Sequence, residues 1–140
     1  MHAPIYIDAR RLTLLALLVC AAVVAAPMLG SPLLYWPFSF VCHQRQERSL
    51  WLAGLPLAVC ARCLGIYFGA LFGLLLAFPS RRKILLSALA LLALDWLTET
   101  AGLRPAWTEL RFASGFLLGM ACAPVVREAV GEVWQECPSR

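Results

Sequence analysis

The sequence predicts an all-α, polytopic membrane protein: a bundle of four transmembrane helices with an apolar external loop. Three observations carry this. The chain of 140 residues is 61% hydrophobic and only 14% charged, with a mean hydropathy of +0.77. A soluble domain carries about a quarter charged residues, and one this small leaves roughly a third of its unfolded surface in water, so lipid must take the place of the missing charge. The apolar residues collect into four runs, at about 12–29, 62–78, 84–99 and 111–127, and three of these repeat small residues every four positions, as close-packed membrane helices do. Such a composition excludes a soluble enzyme, a nucleic-acid binder and a disordered chain. Much of the net charge of +4 sits in short clusters beside apolar runs, where charges orient a membrane protein rather than bind nucleic acid.

The whole chain, 1–140, reads as one transmembrane domain. The first run follows Arg10-Arg11 and is taken as a span rather than a cleaved export signal. A span needs about 20 residues, so the other three runs borrow polar flanks. That places Arg62, Cys63, Asp95, Glu99 and Arg111 at or below the membrane interface. Arg10, Arg11, Arg81, Arg82, Lys83 and Arg127 fall on one side, and the consecutive Arg81-Arg82-Lys83 puts both termini inside. Residues 30–61 then form the external loop. Its own apolarity predicts that it lies on the membrane or folds back over the bundle, with Pro32, Pro37 and Pro56 expected to break any helix in it. Trp36, Trp51 and Trp107 fall near the outer interface as an aromatic belt. The implied location is the inner membrane of a bacterial cell, multi-pass, with the lipid bilayer as partner and no nucleic acid.

Gly65, Gly69 and Gly73 share one face of the second span; Gly115, Gly119 and Ala123 share one on the fourth, and Ala22, Ala26 and Gly30 one on the first. These faces let backbones approach closely, within one bundle or between copies in a homo-oligomer. Cys20 and Cys122 lie mid-span among apolar neighbours and read as packing residues.

The chemistry is concentrated in Cys42-His43-Gln44 and Cys60-Ala61-Arg62-Cys63. A Cys-x-x-Cys pair at a helix start is half of a tetrahedral metal site, and the Cys-His pair can complete a three-Cys, one-His set, provided the backbone turns sharply there. The predicted ligands are therefore Cys42, His43, Cys60 and Cys63, and the predicted cofactor is a transition metal, zinc foremost. Three firm ligands would leave a position open for a water, with Asp95 or Glu99 as base; four would close it. The same Cys60 and Cys63, at a helix N-terminus with Arg62 between them, also suit a membrane thiol-disulfide oxidoreductase.

Counting about 1.5 Å per residue from the inner helix ends puts Cys63, Glu99 and Arg111 at about 23 Å, with Asp95 at about 17 Å. An Asp95–Arg111 or Glu99–Arg111 pair is expected beneath the cysteines, since charges at this depth face the bundle interior and pair. Arg48, with Glu47, is placed to support the site or bind an anionic substrate, whereas Arg104 and Glu109 read as solvated loop charges. The buried charges also admit a third reading, small-solute or ion transport through an oligomer.

Cys42-His43-Gln44, Arg48-Ser49, the run Pro-Leu-Ala-Val-Cys-Ala-Arg-Cys-Leu-Gly-Ile-Tyr from Pro56 to Tyr67, and Leu110-Arg111 with Gly115 resemble a bacterial and archaeal family of predicted membrane proteins, domain of unknown function 2085. The likeness spans about Phe38 to Gly119. It implies a small multi-pass membrane protein in which Cys42, His43, Cys60, Cys63, Asp95 and Arg111 form one site, and it implies no biochemical role. A looser likeness joins the Cys-x-x-Cys at the second span to quinone-linked membrane thiol oxidases. Those carry a second cysteine pair in a later external loop, and residues 100–110 contain none.

Overall fold

Every apolar run is helical in the computed structural model, which describes residues 9–76, 82–105 and 107–135. The helices are α1 (Ala9–Leu29), α2 (Pro32–Ser39), α3 (Ala61–Leu75), α4 (Arg82–Thr100) and α5 (Thr108–Gln135). The end of the second run at Phe78, and Arg81 of the basic turn, lie outside the described residues. By length and composition α1 and α5 can cross a membrane. Helix α3 is apolar but has only 15 residues, and α4 carries Arg82, Lys83, Asp95 and Glu99 among its 19.

Polarity is inverted relative to a water-soluble fold. Leu14, Leu15, Leu17 and Leu18 of α1 and Leu86, Leu89, Leu91, Leu94 and Leu97 of α4 face outward, while Asp95, Arg111 and Ser114 are buried. In water this arrangement would expose a large apolar area and strand charges inside. In lipid it is the stable one, because the exterior matches the solvent and the ionisable groups pair within the bundle.

Helix α3 packs against α1 on one side and α5 on the other. The α3–α5 seam is made by absence of side chains. A Cβ on Gly65 or Gly69 would overlap the carbonyl oxygen of Phe112 or Phe116, and one on Gly115 or Gly119 would overlap that of Arg62 or Ile66. Gly73 lies against Ala123 and Met120. The small-residue faces of the second and fourth runs are thus used against each other within one chain, and the homo-oligomer predicted through them loses those two surfaces. From the first run, Ala26 is fully buried, whereas Gly30 is exposed.

The loop at 30–61 is more ordered than the prolines predict. Pro32 stands in the first turn of α2, where a helix needs no N–H, and Pro37 falls in the second, two residues before the helix ends. Proline therefore starts and shortens this helix rather than preventing it. Beyond a 3-10 turn at Gln46–Arg48, β1 (Trp51–Leu52) and β2 (Leu55–Pro56) form a tight antiparallel hairpin. Its two turn residues, Ala53 and Gly54, take φ of 52° and 81°, the left-handed pair that a two-residue hairpin requires.

The loop then folds back over the bundle. Tyr35 Oη donates to the Pro56 carbonyl at 2.8 Å, and Leu57, Ala58 and Val59 are buried. Cys42, Leu57 and Val59 join Val23 of α1 and Leu64 of α3 in one apolar cluster, against which Tyr67 and Phe38 pack. At the same end, α4 closes with Gly102 at φ 69°, its N–H reaching Glu99 and that of Leu103 reaching Thr98. This glycine cap turns the chain sharply into α5.

Candidate functional site

Cys60 precedes α3 in extended conformation (φ −68°, ψ 159°), its carbonyl accepting the first helical bond from Leu64 N at 3.0 Å. Cys63 follows within the first turn, so both thiols emerge at the helix start. The loop supplies the third. Gln44 adopts φ 48°, and its side-chain amide donates to the carbonyls of Tyr35 at 2.7 Å and Ala58 at 2.9 Å. That clamp ties the Cys-His-Gln segment to α2 and to the irregular segment leading into α3. It brings Cys42 Sγ, Cys60 Sγ and Cys63 Sγ within 4.8 Å of one another.

The Cys60 amide donates to Cys42 Sγ at 3.2 Å. Hydrogen bonds from the thiols of Cys60 and then Cys63, outweighing burial, hold the Cys42 thiol well below its ordinary range. A sulfur surrounded by donors is held toward the thiolate, the form that ligates metals and attacks disulfides. Cys20, Cys42, Cys60, Cys63 and Cys122 are all free of disulfides. Cys20 is buried and Cys122 half-buried, both in helices and outside the trio. The backbone does turn sharply after His43, as a Cys-His ligand pair demands. Even so, the imidazole is exposed and stands outside the close sulfur group, although it lines the same cavity.

Next to the cysteines lies a layer of paired charge. Arg111 binds Glu99, one of the two pairings expected; Arg62 is 3.6 Å and Arg48 3.5 Å from the same carboxylate. Asp95 pairs not with Arg111 but with Arg62 and Arg104, and Ser114 Oγ donates to its Oδ2 at 3.3 Å. Arg104 is thus no solvated loop charge. Besides Asp95 Oδ1 it donates to the Asp95 carbonyl and to Thr98 Oγ1, both at 2.9 Å. The sharp turn at Gly102 makes this possible, because it reverses the chain directly above the last turn of α4. Arg62, read from its position between the cysteines as a neighbour of their thiols, instead spans to α4. Glu47 and Glu109 are exposed.

A cavity of about 330 Å³ opens beside the trio, with Cys42, Cys60 and Cys63 on its wall together with Arg45, Arg48, Arg62 and Arg111. Both oxygens of Asp95 are engaged and neither acid lines this cavity, so the geometry gives no carboxylate base beside the cysteines. Gln44 and Tyr35, the clamp that aligns Cys42, were not singled out by residue type. Gln44 was visible only as the third letter of the Cys-His-Gln motif.

Residues 42–125 match the family described as "Predicted membrane protein (DUF2085)". An uncharacterised protein of Methanocaldococcus jannaschii is 41% identical over 96 residues, covering 61% of this chain and 61% of that protein. One of Methanothermobacter thermautotrophicus is 34% identical over 97 residues, covering 64% of this chain and 87% of its own length. The chain therefore spans less than two thirds of the first of these relatives. No solved structure matches. The family match extends over more than half of the chain, which thus belongs to this family of predicted membrane proteins of unknown function. Both relatives are archaeal, whereas the location expected from the sequence is a bacterial inner membrane.

Proposed function

We propose, with membership of this family as the premise, that the protein is a multi-pass membrane protein that holds a transition metal, zinc foremost, between Cys42, Cys60 and Cys63. Helices α1, α3, α4 and α5 cross the bilayer, and the cysteines stand at their outer end. The leucine-covered exterior and the inward pairing of Asp95, Glu99, Arg62 and Arg111 support the crossing. Trp36, Trp51, Trp96 and Trp107, all exposed, suit an interfacial belt.

The single observation that carries the metal reading is the convergence of three thiol sulfurs within 4.8 Å. Zinc–sulfur bonds of about 2.3 Å in tetrahedral geometry set the sulfurs about 3.8 Å apart, a short adjustment from this arrangement. The Cys60 amide on Cys42 Sγ is the kind of supporting hydrogen bond that orients a thiolate ligand. Three cysteines would leave a fourth ligand to be supplied, and His43, which lines the same cavity, is the nearest candidate in sequence. His43 enters as fourth ligand only if its ring turns inward; otherwise the position takes a water or an exogenous ligand.

Cobalt(II) titration of the purified, reduced protein tests this. A thiolate-to-cobalt absorption that saturates at one equivalent, is displaced by zinc and is lost in Cys60→Ser is the expected result. Absence of any such band contradicts it. The proximity of the Cys60 and Cys63 sulfurs favours one second reading, thiol-disulfide exchange: Cys60 attacks the disulfide of a partner and releases one partner thiol, Cys63 resolves the mixed disulfide and releases the other, and an external dithiol reduces the resulting Cys60–Cys63 bond. That reading requires a Cys60–Cys63 disulfide under oxidant and no bound metal. Transport through an oligomer draws no comparable observation, since the small-residue faces of α3 and α5 are already occupied by each other.

A further inference from the structure

The cavity beside the cysteines carries a deficit that no group among the described residues fills. Four guanidiniums, of Arg48, Arg62, Arg104 and Arg111, meet only two carboxylates, Asp95 and Glu99. Among the described residues two positive charges are left unmatched, one in the buried layer and one at the half-exposed Arg48. Three of these arginines line the cavity, Arg45 adds a fourth cation to its wall, and no carboxylate is among the lining residues. Even a divalent metal held by three thiolates, one negative charge in all, would leave the wall positive.

Hydrogen bonding shows the same deficit. Among the described residues two buried donors, Arg62 Nε and Arg111 Nε, stand without a partner against one such acceptor, Glu99 Oε2, so donors are in excess, and Arg111 is only 2% exposed. Buried donors in native proteins are almost always satisfied, and unmatched charge at this depth is costly. Both departures, at side chains lining one cavity, point to a missing acceptor that is anionic. Guanidinium forks match planar or tetrahedral oxyanions bidentately. A carboxylate would neutralise one of the two charges; a phosphate dianion neutralises both.

We propose that this cavity binds a phosphate-class oxyanion, with Arg48, Arg62 and Arg111 as its donors. The volume of about 330 Å³ lies at the low end of ligand pockets, which run from roughly 300 to 1,000 Å³, and so suits a small head group. Exposed Val41 and Trp96 also line it, giving the cavity an apolar flank. The anion is therefore either free phosphate or the phosphomonoester head of a lipid. The chemistry at the arginines is the same for both. The site shares its cavity with the metal centre and does not depend on it.

The test is calorimetric titration of inorganic phosphate into the full chain in phosphatidylcholine nanodiscs, metal-free and metal-loaded, with nanodiscs containing phosphatidic acid as the second arm. Saturable binding of phosphate is expected, weakened about tenfold by Arg48→Gln and by Arg62→Lys, the latter keeping the charge but losing the fork. If the source is lipid, phosphatidic acid competes with phosphate and is retained through purification, and the same variants lower that retention. If the source is free phosphate, phosphatidic acid does not compete. A cooperatively unfolding protein that neither binds phosphate nor retains phosphatidic acid overturns the proposal. So does binding that both variants leave unchanged. Metal content, measured on the same samples, reports on the metal centre separately.

Discussion

Helices α3 and α5 meet in two different ways along their length. Through most of the seam the glycines of each helix lie against the backbone of the other, with Phe72 meeting Phe116 ring to ring, and the contact is one of shape. At the end nearest the cysteines the same two helices present Cys63, Arg62, Arg111 and Ser114, and the contact is one of charge and hydrogen bonding. The difference shows how the first region makes the second possible. Gly115 carries no side chain because the Arg62 carbonyl occupies that space. With the backbones this close, Arg62 of α3 and Ser114 of α5 reach the same Asp95 of α4. Glycine spacing thus sets the geometry of a polar cluster without contributing a functional atom to it.

The two regions should respond differently to mutation. The largest effect is expected at the polar end: Asp95→Asn leaves the guanidiniums of Arg62 and Arg104 without their carboxylate and should cost about 3–5 kcal/mol, read from unfolding of the detergent-solubilised protein by sodium dodecyl sulfate. Gly69→Ala places a Cβ on the Phe116 carbonyl and should cost about 1–3 kcal/mol in the same assay, by forcing the helices apart. If the seam does set the site, Gly115→Ala should also lower metal affinity, although no ligand is changed. Gln44→Ala removes two hydrogen bonds that hold the Cys42 segment and should cost about 1–2 kcal/mol, with metal affinity falling alongside. Arg48→Gln touches only a half-exposed pair 3.5 Å from Glu99 and should change stability by less than about 1 kcal/mol. A large loss there would show that the rim is as tightly coupled as the buried layer.

Much of this organisation was legible in the amino-acid order. Hydropathy located the four long helices, because lipid-facing and close-packed residues differ from loop residues in composition. Four-residue glycine spacing marked both sides of the α3–α5 seam. Depth counting set Glu99 and Arg111 in one layer, where they pair. What the sequence concealed depended on how the chain turns. Arg104 looks like a loop charge until the Gly102 cap folds it back onto Asp95. Pro32 and Pro37 read as helix breakers, yet Pro32 occupies the one part of a short helix that tolerates proline. Gln44 serves through its own left-handed backbone and the two carbonyls it happens to face, neither of which residue type reveals. Adjacency to Cys42 puts His43 among the predicted ligands, yet its side chain is exposed and stands outside the sulfur group.

The measurement that bears most directly on the central claim is elemental analysis of protein purified in detergent, paired with a free-thiol count after denaturation, on the native chain and on Cys60→Ser/Cys63→Ser. The metal centre predicts about one equivalent of metal in the native chain, thiols that all titrate once the metal is removed, and no metal in the double variant. A native chain without metal and with two of its thiols missing would contradict it and turn the three cysteines into a disulfide site.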